Sequence, residues 1–246
     1  MGPRPARLPG SQSVTHAPFP VTQELYTKHT LERMLNALSS SQTAPFLPQA
    51  ARLLPTTNYP DPILRTPSQP LTSITTGLLD LGIDMLAALR ASGFVGMAAP
   101  QVGANADPIV IDIARSNRAS RLFPGSRDVT ARSVMPMILF NTEGSPHEKI
   151  RDLGFDGCGS VPGVHVQIER PAATRVTAMN HKGETLQFVC ASSRARGIQH
   201  EWDHLRGVLF MDRTSIDTLS SVQPQLEELR KSQSVTAAPL SVTPLG

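Results

Sequence analysis

Leu78, Leu79, Leu81, Ile83, Met85, Leu86 and Leu89 recur at the spacing of a helix face, and Gly93 stands where a left-handed C-cap would. The pattern predicts a core helix of about four to five turns. Farther on the period changes to two. Pro108 to Ile113, Val164 to Ile168, Thr174 to Ala178 and Leu186 to Cys190 alternate or are β-branched, and each predicts a short strand. Gly183, in His181-Lys182-Gly183-Glu184, marks a hairpin turn between the last two. Ser192 or Ser193 is positioned to cap a helix running to about Arg206, with Gly207 at its end. Helix, several strands, helix is the order of an α+β domain. A further helical stretch at Leu25 to Leu38 precedes a connection containing Pro45, Pro48 and Pro55. The expected division is an N-terminal extension over 1–57, a globular domain over 58–219, and a Ser-, Thr-, Val- and Pro-containing tail over 220–246.

Composition narrows the function classes. The chain has 246 residues, 39% of them hydrophobic, which suffices for a core without staples. A formal net charge of +3 is small for a protein living on a polyanion, so DNA is not an expected partner. Two cysteines, Cys158 and Cys190, exclude a disulfide framework. No apolar run approaches the ~20 residues of a membrane-spanning helix. Met1 to Gln23 carries Arg4 and Arg7, no acidic residue and several prolines. An acid-free start suits a transit peptide for the mitochondrion or another organelle; the prolines suit an unstructured tail of a cytoplasmic protein. Arg115 to Arg132 holds five arginines against Asp128 alone, which predicts a basic surface loop able to touch phosphate such as ribosomal RNA.

The chemistry concentrates in His200-Glu201-Trp202-Asp203-His204. Histidines at i and i+4 lie on one helix face and can reach one metal ion, with the intervening glutamate beside the open coordination position. A catalytic metal of this kind needs a third protein ligand, for which Cys158, Cys190, another carboxylate or another histidine are candidates. Cys158 lies in the Gly- and Pro-rich run Asp156-Gly157-Cys158-Gly159-Ser160-Val161-Pro162-Gly163, where reactivity explains a thiol better than packing does. Cys190, at the end of an alternating strand, reads as a small buried apolar side chain.

Three segments together resemble the peptide deformylase family, metallohydrolases that remove the formyl group from the N-terminal methionine of new proteins. They are Gly96-Met97-Ala98-Ala99-Pro100-Gln101-Val102-Gly103, the Cys158 run, and Gln199-His200-Glu201-Trp202-Asp203-His204-Leu205 with Gly207, Leu209-Phe210 and Asp212-Arg213 behind it. Upstream, Pro60-Asp61-Pro62-Ile63-Leu64-Arg65 looks like the family's opening segment, so the likeness spans Tyr59 to Arg213. The resemblance implies short, mostly antiparallel strands around a central metal-binding helix. It implies Cys158, His200 and His204 as ligands of one iron(II), replaceable by zinc, nickel or cobalt. Glu201 would be the general base and acid for water attacking the formyl carbon, with the Gln101 amide and the Gly159 N–H donating to the formyl oxygen. Gly96 would approach the peptide, Asp203 would support the ligands, and formyl-methionyl nascent chains would be the substrates.

Departures from the family pattern sit around these residues. Asp156 stands where glutamate is usual, with Arg170 at the place of its partner; the shorter side chain predicts a longer pair or a shifted cysteine loop. Gly159 replaces leucine, and Phe94 replaces a small residue near the peptide groove. Arg196-Gly197 occupies the part of the metal helix that helps form the methionine pocket, and Gly197 costs about 1 kcal/mol relative to alanine in a helix interior. These changes also motivate an alternative: a metal-binding module of weak or no activity that engages nascent chains or the ribosome.

Overall fold

The computed structural model describes residues 52–112, 136–147 and 149–233. The helix expected at Leu25 to Leu38 and the basic segment Arg115 to Arg132 lie outside the described residues. Three α-helices and seven strands are described: α1 Thr76–Ser92, β1 Gly96–Ala98, β2 Ile109–Ile111, β3 Met137–Pro146, β4 Arg151–Cys158, β5 Val161–Pro171, β6 Ala173–Met179, β7 Thr185–Ala191, α2 Ser192–Leu205 and α3 Ile216–Gln233. All pairings are antiparallel: a five-stranded sheet in the order β1-β2-β3-β6-β7, and a two-stranded ribbon of β4 and β5. Mixed helices and antiparallel sheet bear out the α+β expectation.

Helix α1 follows its apolar pattern. Thr75 accepts the Leu78 N–H at 3.3 Å, and Gly93 ends the helix at φ 76. Leu79, Ile83, Leu86 and Leu89 are buried against Met97, Val110, Ile138 and Phe140 of β1 to β3. On α2, Ala195, Ile198 and Leu205 pack into Ile109, Leu139, Val176 and Cys190. A third cluster joins Val164, Val166 and Ile168 of β5 to Leu209, Phe210 and, from α3, Val222 and Leu226. The central helix is thus wedged between the main sheet and the ribbon.

Two boundaries and one cap differ from expectation. Before residue 58, the Thr57 N–H donates to Gln101 O at 2.7 Å and Leu54 packs on the α1 cluster, so the fold begins earlier. Past residue 219, α3 continues to Gln233 through Pro224, and burying Val222 and Leu226 outweighs the proline's lost hydrogen bond. Neither Ser192 nor Ser193 caps α2. The Ser192 N–H is spent on Ala172 O at 2.8 Å, extending the β6–β7 region, and with φ 54 at Ser192 the strand turns directly into the helix after Ala191.

Candidate metal centre

The three candidate ligands arrive from two layers. His200 and His204 are one turn apart on α2, and Cys158 closes β4 at a two-residue turn, Gly159-Ser160, before β5. The run read as loop is therefore a strand end and hairpin tip. Ser160 O accepts the Tyr59 N–H at 2.7 Å, which fastens the tip to the chain ahead of α1. Cys158 Sγ lies 3.3 Å from His204 Nε2, and ligand atoms of Cys158, His200 and His204 all lie within 4.8 Å of one another. This is the grouping among the described residues suited to a metal ion. One sulfur and two imidazole nitrogens, beside a buried glutamate, fit a divalent transition metal with a position left open. Cys190 is elsewhere, 1% exposed, its thiol pushed up to about 12 by burial, in keeping with a packing role.

Glu201 is 3% exposed, and its Oε2 has no hydrogen-bond partner. Burial pushes its carboxyl up to about 7, against the opposing charges of His200 and Arg170. Strand β1 runs directly over it. A Cβ at Gly96 would stand 2.5 Å from Glu201 Oε1, so only glycine lets the backbone pass so close. Gln101 reaches the cluster from the short helical turn Ala99–Val102 that follows β1. Its Oε1 accepts the Ala98 N–H at 2.7 Å, which aims Nε2 at Cys158 Sγ, 3.3 Å away.

Behind the ligands runs a chain of charges. Arg196 donates to Asp156 Oδ1 at 2.7 Å, Arg170 donates from Nε to Asp156 Oδ2 at 2.9 Å and from Nη1 to Asp203 Oδ2 at 2.8 Å, and Arg213 donates from Nη2 to Asp203 Oδ1 at 2.6 Å. The Asp156–Arg170 pair thus closes at ordinary distance despite the shorter aspartate. Asp203 is no surface residue; buried at 3% exposure, it holds the α2 backbone beside His204 between two guanidinium groups. Arg196 departs from the expectation of a pocket residue. Its guanidinium folds back onto the ribbon, donating also to Asp152 O at 2.7 Å and to Gly154 O and Ile168 O at 3.3 Å, because Asp156 leaves Oδ1 free for a second cation. Gly197 lies within α2, half-buried.

His200 turns Nδ1 toward Asp156 Oδ2 at 3.4 Å, leaving Nε2 for the cluster, and its ring stacks on Phe210 with centroids 6.1 Å apart. Burial alone would lower its pKa, but the Asp156 and Cys158 contacts and the Glu201 charge together hold it well above the ordinary histidine value. Asp156 is held well below the carboxylate range: burial would raise it, and His200, Arg170 and Arg196 outweigh that. Burial drives His204 the other way, helped by the charges of His200, Arg170 and Arg65. A metal must displace the His200 proton, which the site holds well above the ordinary histidine value, so affinity should already fall as pH drops toward that value from above. Competition with a chromophoric chelator measures it; a flat profile would exclude these ligands.

Arg213 beside Asp203 and Phe210 beside His200 both support the site, although the motif they belong to gives neither a role. A buried aspartate beside a metal-ligating histidine requires a cation, and that requirement was the signal for Arg213.

Residues 53–219 match the polypeptide deformylase family. The chain belongs to that family. A peptide deformylase of Methylacidiphilum infernorum is 31% identical over 177 residues, 72% of this chain and 93% of that protein. One from Desulforudis audaxviator is 34% identical over 157 residues, 64% of this chain and 90% of that protein. Among solved structures, an Arabidopsis thaliana peptide deformylase in complex with an inhibitor superposes with a TM-score of 0.63 at 30% identity, covering 75% of this chain and 94% of that one.

Proposed function

We propose that this centre hydrolyses the formyl group from the N-terminal formyl-methionine of newly synthesised proteins, using one divalent ion held by Cys158, His200 and His204. When bound there, such an ion acidifies water and polarises a carbonyl. Iron(II) is the family expectation, and the thiolate donor is compatible with zinc, nickel or cobalt. Glu201 takes the proton of the attacking water and delivers it to the leaving amine, so that the formyl C–N bond breaks, a C–O bond forms, and formate leaves a free N-terminus. Its unpaired Oε2, buried next to the ligand cluster, is the observation that carries this reading. Gln101 Nε2, already aimed by the Ala98 N–H, and the backbone N–H of Gly159 donate to the oxygen as negative charge develops. The backbone at Gly96 flanks the peptide above Glu201, and Asp156, Arg170 and Asp203 keep the histidines in place.

Release of formate from formyl-Met-Ala-Ser by anaerobically purified, iron(II)-loaded protein tests the proposal. We expect turnover that decays in air, because a thiolate-ligated ferrous site is open to oxidation, and that persists in air when zinc, nickel or cobalt replaces iron. No formate from protein carrying one metal per chain would overturn it.

A further inference from the structure

Phe94 and Gly159 meet in space. Gly159 is the first residue of the turn after Cys158, and the chain does not need glycine there for its backbone: Gly159 is absent from the left-handed glycines Gly93, Gly103, Gly163, Gly183 and Gly207. What a side chain there would meet is the ring of Phe94. A Cβ at Gly159 would stand 2.6 Å from Phe94 Cζ, closer still to Cε2, and 3.1 Å from Cδ2, with no other group nearer. The main chain around Phe94 is fastened on both sides. Gly93 caps α1 by donating to Leu89 O at 3.1 Å, the Phe94 N–H donates to Ser92 Oγ at 3.4 Å, and Val95 O accepts the Asp112 N–H at 2.9 Å. Two residues on, Gly96 lies against Glu201. The ring is therefore delivered from the β1 side, across the centre, to the cysteine hairpin.

Its exposure is informative. Phe94 is 40% and the adjacent Val95 37% exposed, two apolar side chains open to solvent next to the turn that follows Cys158. We propose that Phe94 and Gly159 are a reciprocal pair: the ring supplies, from the opposite element, the apolar wall that a side chain at 159 would otherwise form, and it selects peptides with an apolar residue following formyl-methionine. The substrate half of this inference rests on the deformylase reading; the shared space does not.

The test uses metal-loaded full-length protein as wild type, F94A, F94L, G159L and the F94A/G159L double variant, with formyl-Met-Leu-Ser and formyl-Met-Ser-Ser as substrates. F94A should raise KM for the leucine peptide about five- to tenfold, change that for the serine peptide by less than about twofold, and leave kcat nearly unchanged. F94L should retain most of the leucine preference. G159L alone should displace the ring, lowering both the preference and the thermal midpoint; in the F94A background it should restore the preference and leave the midpoint unchanged. Hydrolysis of both peptides with the leucine-to-serine ratio unmoved by F94A, or purely additive effects in the cycle, overturns this inference alone. Hydrolysis of neither peptide by wild type overturns the deformylase reading and the selectivity together.

Discussion

Glu201→Ala is expected to lower formate release about 10²- to 10⁴-fold while metal content, measured by elemental analysis, stays at the wild-type level. The residue lies beside the ligands and is not one of them, so its loss removes the proton carrier and spares the donors. Stability should move in the opposite sense. In the metal-free chain Glu201 holds its proton up to about pH 7 when folded, against 4.5 as the ordinary value. The folded state then binds more protons than the unfolded state between those values, and the contribution of Glu201 to stability falls as pH rises through that window. Alanine should abolish this slope in denaturation curves of metal-free protein. Activity that survives the substitution would remove Glu201 from the reaction.

Arg170→Leu should be the most damaging single change to the fold, costing about 3–5 kcal/mol in chemical denaturation. Arg170 is 4% exposed and stands between two buried carboxylates, Asp156 and Asp203, so leucine leaves both without their shared cation. Arg196 and Arg213 each retain one partner, which places the expected cost below that of two fully orphaned charges. Because Asp156 also faces His200, metal affinity should drop about tenfold in the same variant. A loss below about 1 kcal/mol would mean that the flanking arginines neutralise the site by themselves.

Local periodicity made much of this architecture legible. The α1 stripe, the alternation in β2, β5, β6 and β7, and Gly93, Gly183 and Gly207 act within a turn or a strand, and all four strands and both helices appear where those patterns place them. The ligand pair on α2 was readable for the same reason, since i and i+4 is a local relation. What was not readable is set by contacts distant in sequence. Helix α3 was hidden by Pro224, whose cost is offset only once β5 is there to bury Val222 and Leu226. β3 carries a register shift between Phe140 and Glu143, with Asn141 at φ 46 held by its side chain to both polar groups of Leu71, and such an irregularity erases the alternation that would announce a strand. Arg196 was assigned to a pocket from its position on the metal helix, whereas its length and the spare oxygen of Asp156 carry it back to the ribbon. Phe94 and Gly159 each looked like an isolated oddity along the chain; side by side they occupy one volume.

The placement of the ligands on separate layers also bears on how the molecule is assembled. Cys158 rides at the tip of a hairpin, and the two histidines belong to a helix that follows the β6–β7 ladder in the chain. Any ion gripping all three ends closes a loop between ribbon and helix, as a removable clasp rather than a covalent one, and suppresses the conformational entropy of everything in between. Availability of metal in the compartment thereby becomes a thermodynamic input to maturation: a chain that has found its ion is, by the same event, a chain whose ribbon is locked to its helix.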